Sequence, residues 1–151
     1  GLIDHELYHA RLAYTGFDEP YLAPAVFDGL PPRVARRLFE AVSELQAYRH
    51  ELAAARRYRL PPRYHQVAAG AYLTYYLRLL EPDPAVPAAL RDALLVALFE
   101  DWMLRQERVL TRDAQGWRFE VEERRYELPP AVVAALAGRA RDGGVAAGAG
   151  P

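Results

Sequence analysis

The densest chemistry in the chain lies in five consecutive residues near its start, His5-Glu6-Leu7-Tyr8-His9. Residues four apart on a helix sit one turn above each other, so both imidazoles project side by side. Together they can reach one Zn²⁺ at about 2.0–2.1 Å, as the H-E-x-x-H pattern requires. Glu6 adjoins the first histidine and points near the same ion, where it can take a proton from water whose pKa the metal lowers toward about 7. The reaction this trio implies is attack of activated water on a carbonyl. The plainer reading is a solvated or core-lining helix that carries two incidental histidines.

A catalytic zinc needs a third protein ligand and an open position. With no cysteine in the chain, that ligand must be His, Asp or Glu. The segment Leu2-Ile3-Asp4-His5-Glu6-Leu7-Tyr8-His9-Ala10 resembles the active-site helix of the zincin metallopeptidases. Tyr8 is bulkier than the small residue that family usually carries there, and it fits if it points away from the cleft. The extended pattern with a third histidine is missing, because Arg11 to Gly16 contain no His. The resemblance then implies a glutamate from a later helix. Glu44-Leu45-Gln46-Ala47-Tyr48 is similar to the E-x-x-A segment of gluzincins and begins 35 residues after His9 (44 − 9). On this resemblance Glu44 is the third ligand, with Zn²⁺ as cofactor and a peptide or protein as substrate. Glu40 and Glu51 share its helix face and stay as alternatives. His50 faces about 120° away from Glu44 and is a ligand only if Glu44 is not. The family often has an acidic residue near the place where this chain has Tyr48, so the partner that orients the ligands is unidentified. Tyr64 and His65 are candidate hydrogen-bond donors to the oxyanion, although a core Tyr and a partly buried helix-start His are the plainer and preferred explanation. Asp4 either orients an imidazole or favours the helix start.

The elements that must position these groups are mostly helical. Leu2 to about Ala13 reads as an amphipathic helix whose back is made by Leu2, Ile3, Leu7 and Ala10. A Pro- and Gly-punctuated loop to Pro32 carries Phe17, Tyr21, Leu22, Val26 and Phe27, which are expected to pack onto the body. A long helix follows from about Arg33 to Tyr58, opened by Pro31-Pro32. A third helix is expected over about Arg63–Leu80, with Tyr72, Tyr75 and Tyr76 packing and their hydroxyls at the surface. A fourth is expected over about Pro87–Arg105. Arg108–Arg112 and Trp117–Val121 alternate apolar and polar around Asp113–Gly116, which predicts a β-hairpin. A last helix over about Pro130–Arg141 precedes a Gly/Ala-rich tail, 142–151, expected to be disordered. The fold is therefore expected to be mainly α, a zincin-like helical core with the H-E-x-x-H helix first, about five helices and one hairpin. Residues 1–141 are read as one domain.

Composition narrows the functional classes. The chain has 151 residues, is 52% hydrophobic and 26% charged, and carries a net charge of −1. No global field attracts nucleic acid or an anionic membrane, and no apolar run is long enough to span one. All 19 basic residues are arginine. Arg56-Arg57-Tyr58-Arg59 closes the long helix, where positive charge suits the helix dipole. Absence of cysteine points weakly to the cytoplasm. The chain opens Gly1-Leu2-Ile3 without Met, so it is read as N-terminally incomplete, lacking the small sheet that zincins place upstream. Two competing readings share the motif. Glu6-x-x-His9 is also the ligand pair of di-metal carboxylate bundles, but no second E-x-x-H is present. A non-catalytic helical interaction domain is the other.

Overall fold

In the computed structural model, residues 2–15, 24–105, 110–113, 116–121 and 123–145 are described. They form a mainly helical protein with a small antiparallel sheet. The chain divides into two compact units, Gly1–Val86 and Pro87–Pro151, whereas the sequence reads as one body to residue 141.

The first unit is built on three helices, α1 (Leu2–Thr15), α2 (Pro32–Arg57) and α3 (Pro62–Leu80). Pro31-Pro32 and Pro61-Pro62 open α2 and α3, where a fixed φ suits the first turn and a missing N–H goes unnoticed. α2 packs against both α1 and α3. Its burial therefore extends around the helix, taking in Val42, Leu45, Ala47 and Ala55, all without exposed surface. Burying each of the larger two contributes about 1.5–3 kcal/mol. α2 ends in a Schellman turn: the Leu60 N–H donates to the Ala55 carbonyl and the Arg59 N–H to that of Arg56. Arg59 takes the left-handed position there (φ 53°), which glycine would occupy with less strain.

α3 buries Ala68, Tyr72, Tyr76 and Leu80, one per turn. Tyr72 and Tyr76 have no exposed surface, so their hydroxyls do not reach solvent as the sequence suggests. Arg49 of α2 donates to the Tyr72 hydroxyl at 3.4 Å. Of the Gly16–Pro32 stretch, 16–23 with Phe17, Tyr21 and Leu22 lie outside the described residues. Pro24–Phe27 forms a 3-10 turn, and Phe27 is buried edge-on to Phe39.

The second unit holds α4 (Ala88–Ala97), a 3-10 turn (Asp101–Arg105), strands β1 (Leu110–Asp113), β2 (Gly116–Val121) and β3 (Arg124–Glu127), and α5 (Pro130–Val145). The expected fourth helix is thus shorter. It stops at Leu98, and the chain resumes a tighter helix only at Asp101. The expected hairpin is present, with Thr111 opposite Arg118 and Asp113 opposite Gly116. A third strand pairs on its other side, Phe119 opposite Tyr126. Alternation in Arg124-Arg-Tyr-Glu127 is too weak to announce that strand, since three of its four residues are exposed. α5 continues four residues past Arg141, and 146–151 lie outside the described residues.

Candidate metal centre

The polar side chains of α1 meet those of α2 along one seam. His5 is 6% exposed, and its ring lies against Tyr48 with centroids 4.4 Å apart. His9, one turn on, is half-buried. Tyr8 stacks on His50 at 5.4 Å, which turns it away from the cleft as the sequence comparison requires. Leu7 and Ala10 are exposed, Leu7 by 61%, so they do not form the buried back of α1 expected from the sequence. Among the described side chains of α1, the chemical face is the one that packs.

Three ligand-type atoms converge on this seam. His5 Nε2 lies 3.2 Å from His9 Nε2. The Glu44 carboxylate approaches both, with Oε2 3.4 Å from His5 Nε2 and Oε1 3.4 Å from His9 Nε2. Ligands bonded at about 2.0–2.1 Å to a tetrahedral ion stand about 3.4 Å apart. Each histidine nitrogen lies about that far from a different oxygen of Glu44. Taken one atom per residue, the three ligand atoms lie within 4.8 Å of one another, and among the described residues they are the group that could hold a metal ion.

Each outer ring nitrogen has a polar neighbour on α2. His9 Nδ1 lies 3.1 Å from Ser43 Oγ. His5 Nδ1 lies 3.2 Å from Glu51 Oε2, within ion-pair reach but off hydrogen-bond alignment. The Tyr64 hydroxyl donates to the other oxygen of Glu51. Groups at Nδ1 fix the ring orientation and leave Nε2 for a metal, which strengthens binding. Glu51 is thus placed to orient a ligand, and Tyr64 in turn holds Glu51.

A cleft of about 470 Å³ opens beside these atoms. Glu6, exposed, stands on its α1 side, and Glu44, Tyr48 and Glu51 on its α2 side. Its third wall is a single stripe of α3, Tyr64, Val67, Ala68 and Ala71, at i, i+3, i+4 and i+7. Burial, then the negative charge of Glu44, pushes the Tyr48 phenol above its ordinary range. It stays protonated at neutral pH and keeps a proton to donate.

Of the residues singled out from sequence, His5, Glu6, His9 and Glu44 are brought together. Glu51 is near but joins through the far side of His5, and Glu40 is exposed outside the cleft. His50 is occupied with Tyr8, and His65 does not line the cleft. Asp4 has no described side chain. Sequence reasoning missed Ser43, and it treated Tyr48 only as the place of a missing acid. Four-residue spacing from Glu44 was the available signal for Tyr48. Ser43 had none, because its distance from His9 depends on how α1 crosses α2. No known protein family, characterised protein or solved structure matches the chain.

Proposed function

We propose that this chain is a zinc-dependent hydrolase of the gluzincin kind, cleaving peptide bonds. His5, His9 and Glu44 are its metal ligands and Glu6 its general base. The observation that carries the reading is the convergence of two Nε2 atoms and a carboxylate, with ligand atoms within 4.8 Å of one another, beside an open cleft. Bound there, zinc would supply a Lewis acid and lower the pKa of water.

The chain's own residues have separate tasks. Ser43 is hydrogen-bonded to the outer nitrogen of His9, and Glu51, 3.2 Å from that of His5, is placed to orient the second imidazole. Glu6 accepts a proton from the attacking water as its oxygen bonds to the carbonyl carbon. As the C–N bond breaks, Glu6 returns that proton to the leaving nitrogen, so the carboxylate ends as it began. Tyr48, neutral and facing the cleft, is a donor available to the carbonyl oxygen. No described helix is long and apolar enough to cross a membrane.

Substituting Glu6 by Gln separates catalysis from metal binding. Zinc content should be unchanged and peptide hydrolysis should fall by about 10²–10⁴-fold. Loss of zinc in Glu6→Gln would instead favour the di-metal carboxylate reading, in which Glu6 is a ligand. Undiminished hydrolysis would remove Glu6 from the mechanism.

A further inference from the structure

We propose that the arginine-rich tip joining α2 to α3 binds acidic residues of the polypeptide whose scissile bond lies in the cleft, about two to four residues beyond the end of the cleft marked by Glu51 and Tyr64. That the bound chain is a substrate rests on the hydrolase reading; the charge preference of the tip does not.

Arg56, Arg57, Arg59 and Arg63 fall within eight residues, and no Asp or Glu occurs between Glu51 and Glu81. In a chain of net charge −1 this is a pronounced local imbalance. All four arginines are exposed. Among the described residues no carboxylate pairs with any of them, which is also true of Arg33, Arg36 and Arg78. The helix dipole explains only part of the cluster. Arg56 and Arg57 lie in the last turn of α2, where positive charge is favourable. Arg63 lies in the first turn of α3, which has no acidic residue and where positive charge is unfavourable. Arg59 occupies the left-handed site of the Schellman turn, where a glycine would cost less. Two of the four thus sit where local structure argues against them.

The tip also carries apolar surface and lies at one end of the cleft. Tyr58, beneath the Arg57 guanidinium, is 61% exposed, and Val67 of the cleft wall is 67% exposed. Exposed Tyr and Arg together are the composition of protein-binding surfaces. Glu51 and Tyr64 line the cleft and are the lining residues of α2 and α3 nearest the turn between them. Arg63 directly precedes Tyr64, and Arg56 follows Glu51 by five residues, about 7.5 Å along a helix. An extended chain advances about 3.3–3.4 Å per residue, which places an acidic residue over the tip two to four positions from the cleft. The cleft itself presents Glu6, Glu44 and Glu51 and no arginine, so the acidic part of such a chain belongs outside it. The occupant of the cleft decides the class of partner. A bond hydrolysed there belongs to a polypeptide, and the tip meets that same chain.

The test uses peptides of equal length, alike in a neutral central segment and flanked by three Glu, three Ala or three Arg. Binding is followed by fluorescence anisotropy on the zinc-loaded Glu6→Gln protein, at low and at physiological salt, with zinc content measured on each sample. The Glu-flanked peptide should bind about tenfold more tightly than the Ala-flanked one, as a few exposed pairs together allow, and the advantage should shrink with salt. The double variant Arg59→Glu, Arg63→Glu should reverse the order in favour of the Arg-flanked peptide while keeping its zinc. Equal affinities for the Glu and Ala flanks, or an unchanged order in the charge-reversed variant, would overturn the proposal. A dT12 oligonucleotide bound more tightly than the Glu-flanked peptide, and released by the same variant, would overturn it in favour of a nucleic-acid surface. A chain that holds no zinc yet keeps the arginine-dependent acidic preference would sink the hydrolase reading and leave the tip's specificity standing.

Discussion

The two units of this molecule bury different things. Among the described residues of the second, those removed from water are apolar, Leu94, Leu95, Leu98, Phe99, Met103, Phe119, Leu128 and Val132. In the first, Val42, Leu45 and Tyr72 are accompanied by His5, Ser43, Gln46 and Glu51, which are all the buried polar or charged residues among those described. Three of those four meet at the α1–α2 seam. Burying a polar group costs free energy unless it finds partners, and even a well-paired set is often no more stable than an apolar one. A seam built only to hold α1 on α2 would be cheaper in leucine. On the proposed reading the seam is shaped for its chemistry, with stability supplied around it.

Several substitutions break or sharpen that contrast. The largest effect belongs to the apolar unit. Leu95→Ala empties a site with no exposed surface and should cost about 2–5 kcal/mol of stability by denaturant unfolding. Zinc affinity, measured where the variant is folded, should not change, since Leu95 and the ligands lie in different units. A fall in both would mean that the units do not divide the work as described. Next comes Glu51→Ala, which frees His5 Nδ1 and strands the Tyr64 hydroxyl. Zinc should bind about 10–100-fold more weakly in a chelator competition, and an unchanged affinity would show that Glu51 does not orient the ligand.

The smallest effect lies outside both interiors. Asp83 accepts from the Ala85 N–H at 2.8 Å and from the Arg37 guanidinium, and these two hold its carboxyl below the ordinary 3.8. A depressed native pKa stabilises the fold above the unfolded value, and that contribution is lost as pH falls through the native one. Asp83→Asn should therefore lower Tm by no more than a few degrees near pH 6, as expected of a pair whose arginine is exposed. The gap from wild type should close on acidification below pH 3.8. A gap that does not narrow at all as the pH falls below 3.8 would assign the effect to the loop conformation and not to the charge.

What the sequence made legible follows from how far each signal travels. The H-E-x-x-H pair is local: four residues on one helix put two imidazoles together whatever packs against them, and His5 and His9 are found so. Glu44 depended on α2 returning across α1, and only the resemblance to E-x-x-A selected it over Glu40 and Glu51. All three share a helix face, yet the crossing sets one toward Nε2, one toward Nδ1 and one into solvent. Periodicity placed the helices to within a few residues, except where burial misled it. The apolar run from Leu94 to Leu104 reads as one helix, but it breaks at Leu98 because buried apolar residues satisfy either geometry. Leu7 shows the reverse error, since an apolar residue inside the motif was assigned to the buried face and is 61% exposed. Strand β3 was hidden because an edge strand with an exposed face carries little alternation.

The central claim is that His5, His9 and Glu44 form one metal site, and zinc stoichiometry and affinity test it most directly. Metal-stripped wild type, His5→Ala and Glu44→Ala would each be titrated with zinc against a chromophoric chelator, with circular dichroism confirming the fold. One zinc per chain in the wild type, with binding reduced more than 100-fold in both variants, is the result predicted, since losing a ligand should exceed the effect of losing a group that orients one. A folded wild type that takes up no zinc, or a Glu44→Ala protein that binds it as tightly as wild type, would contradict the account.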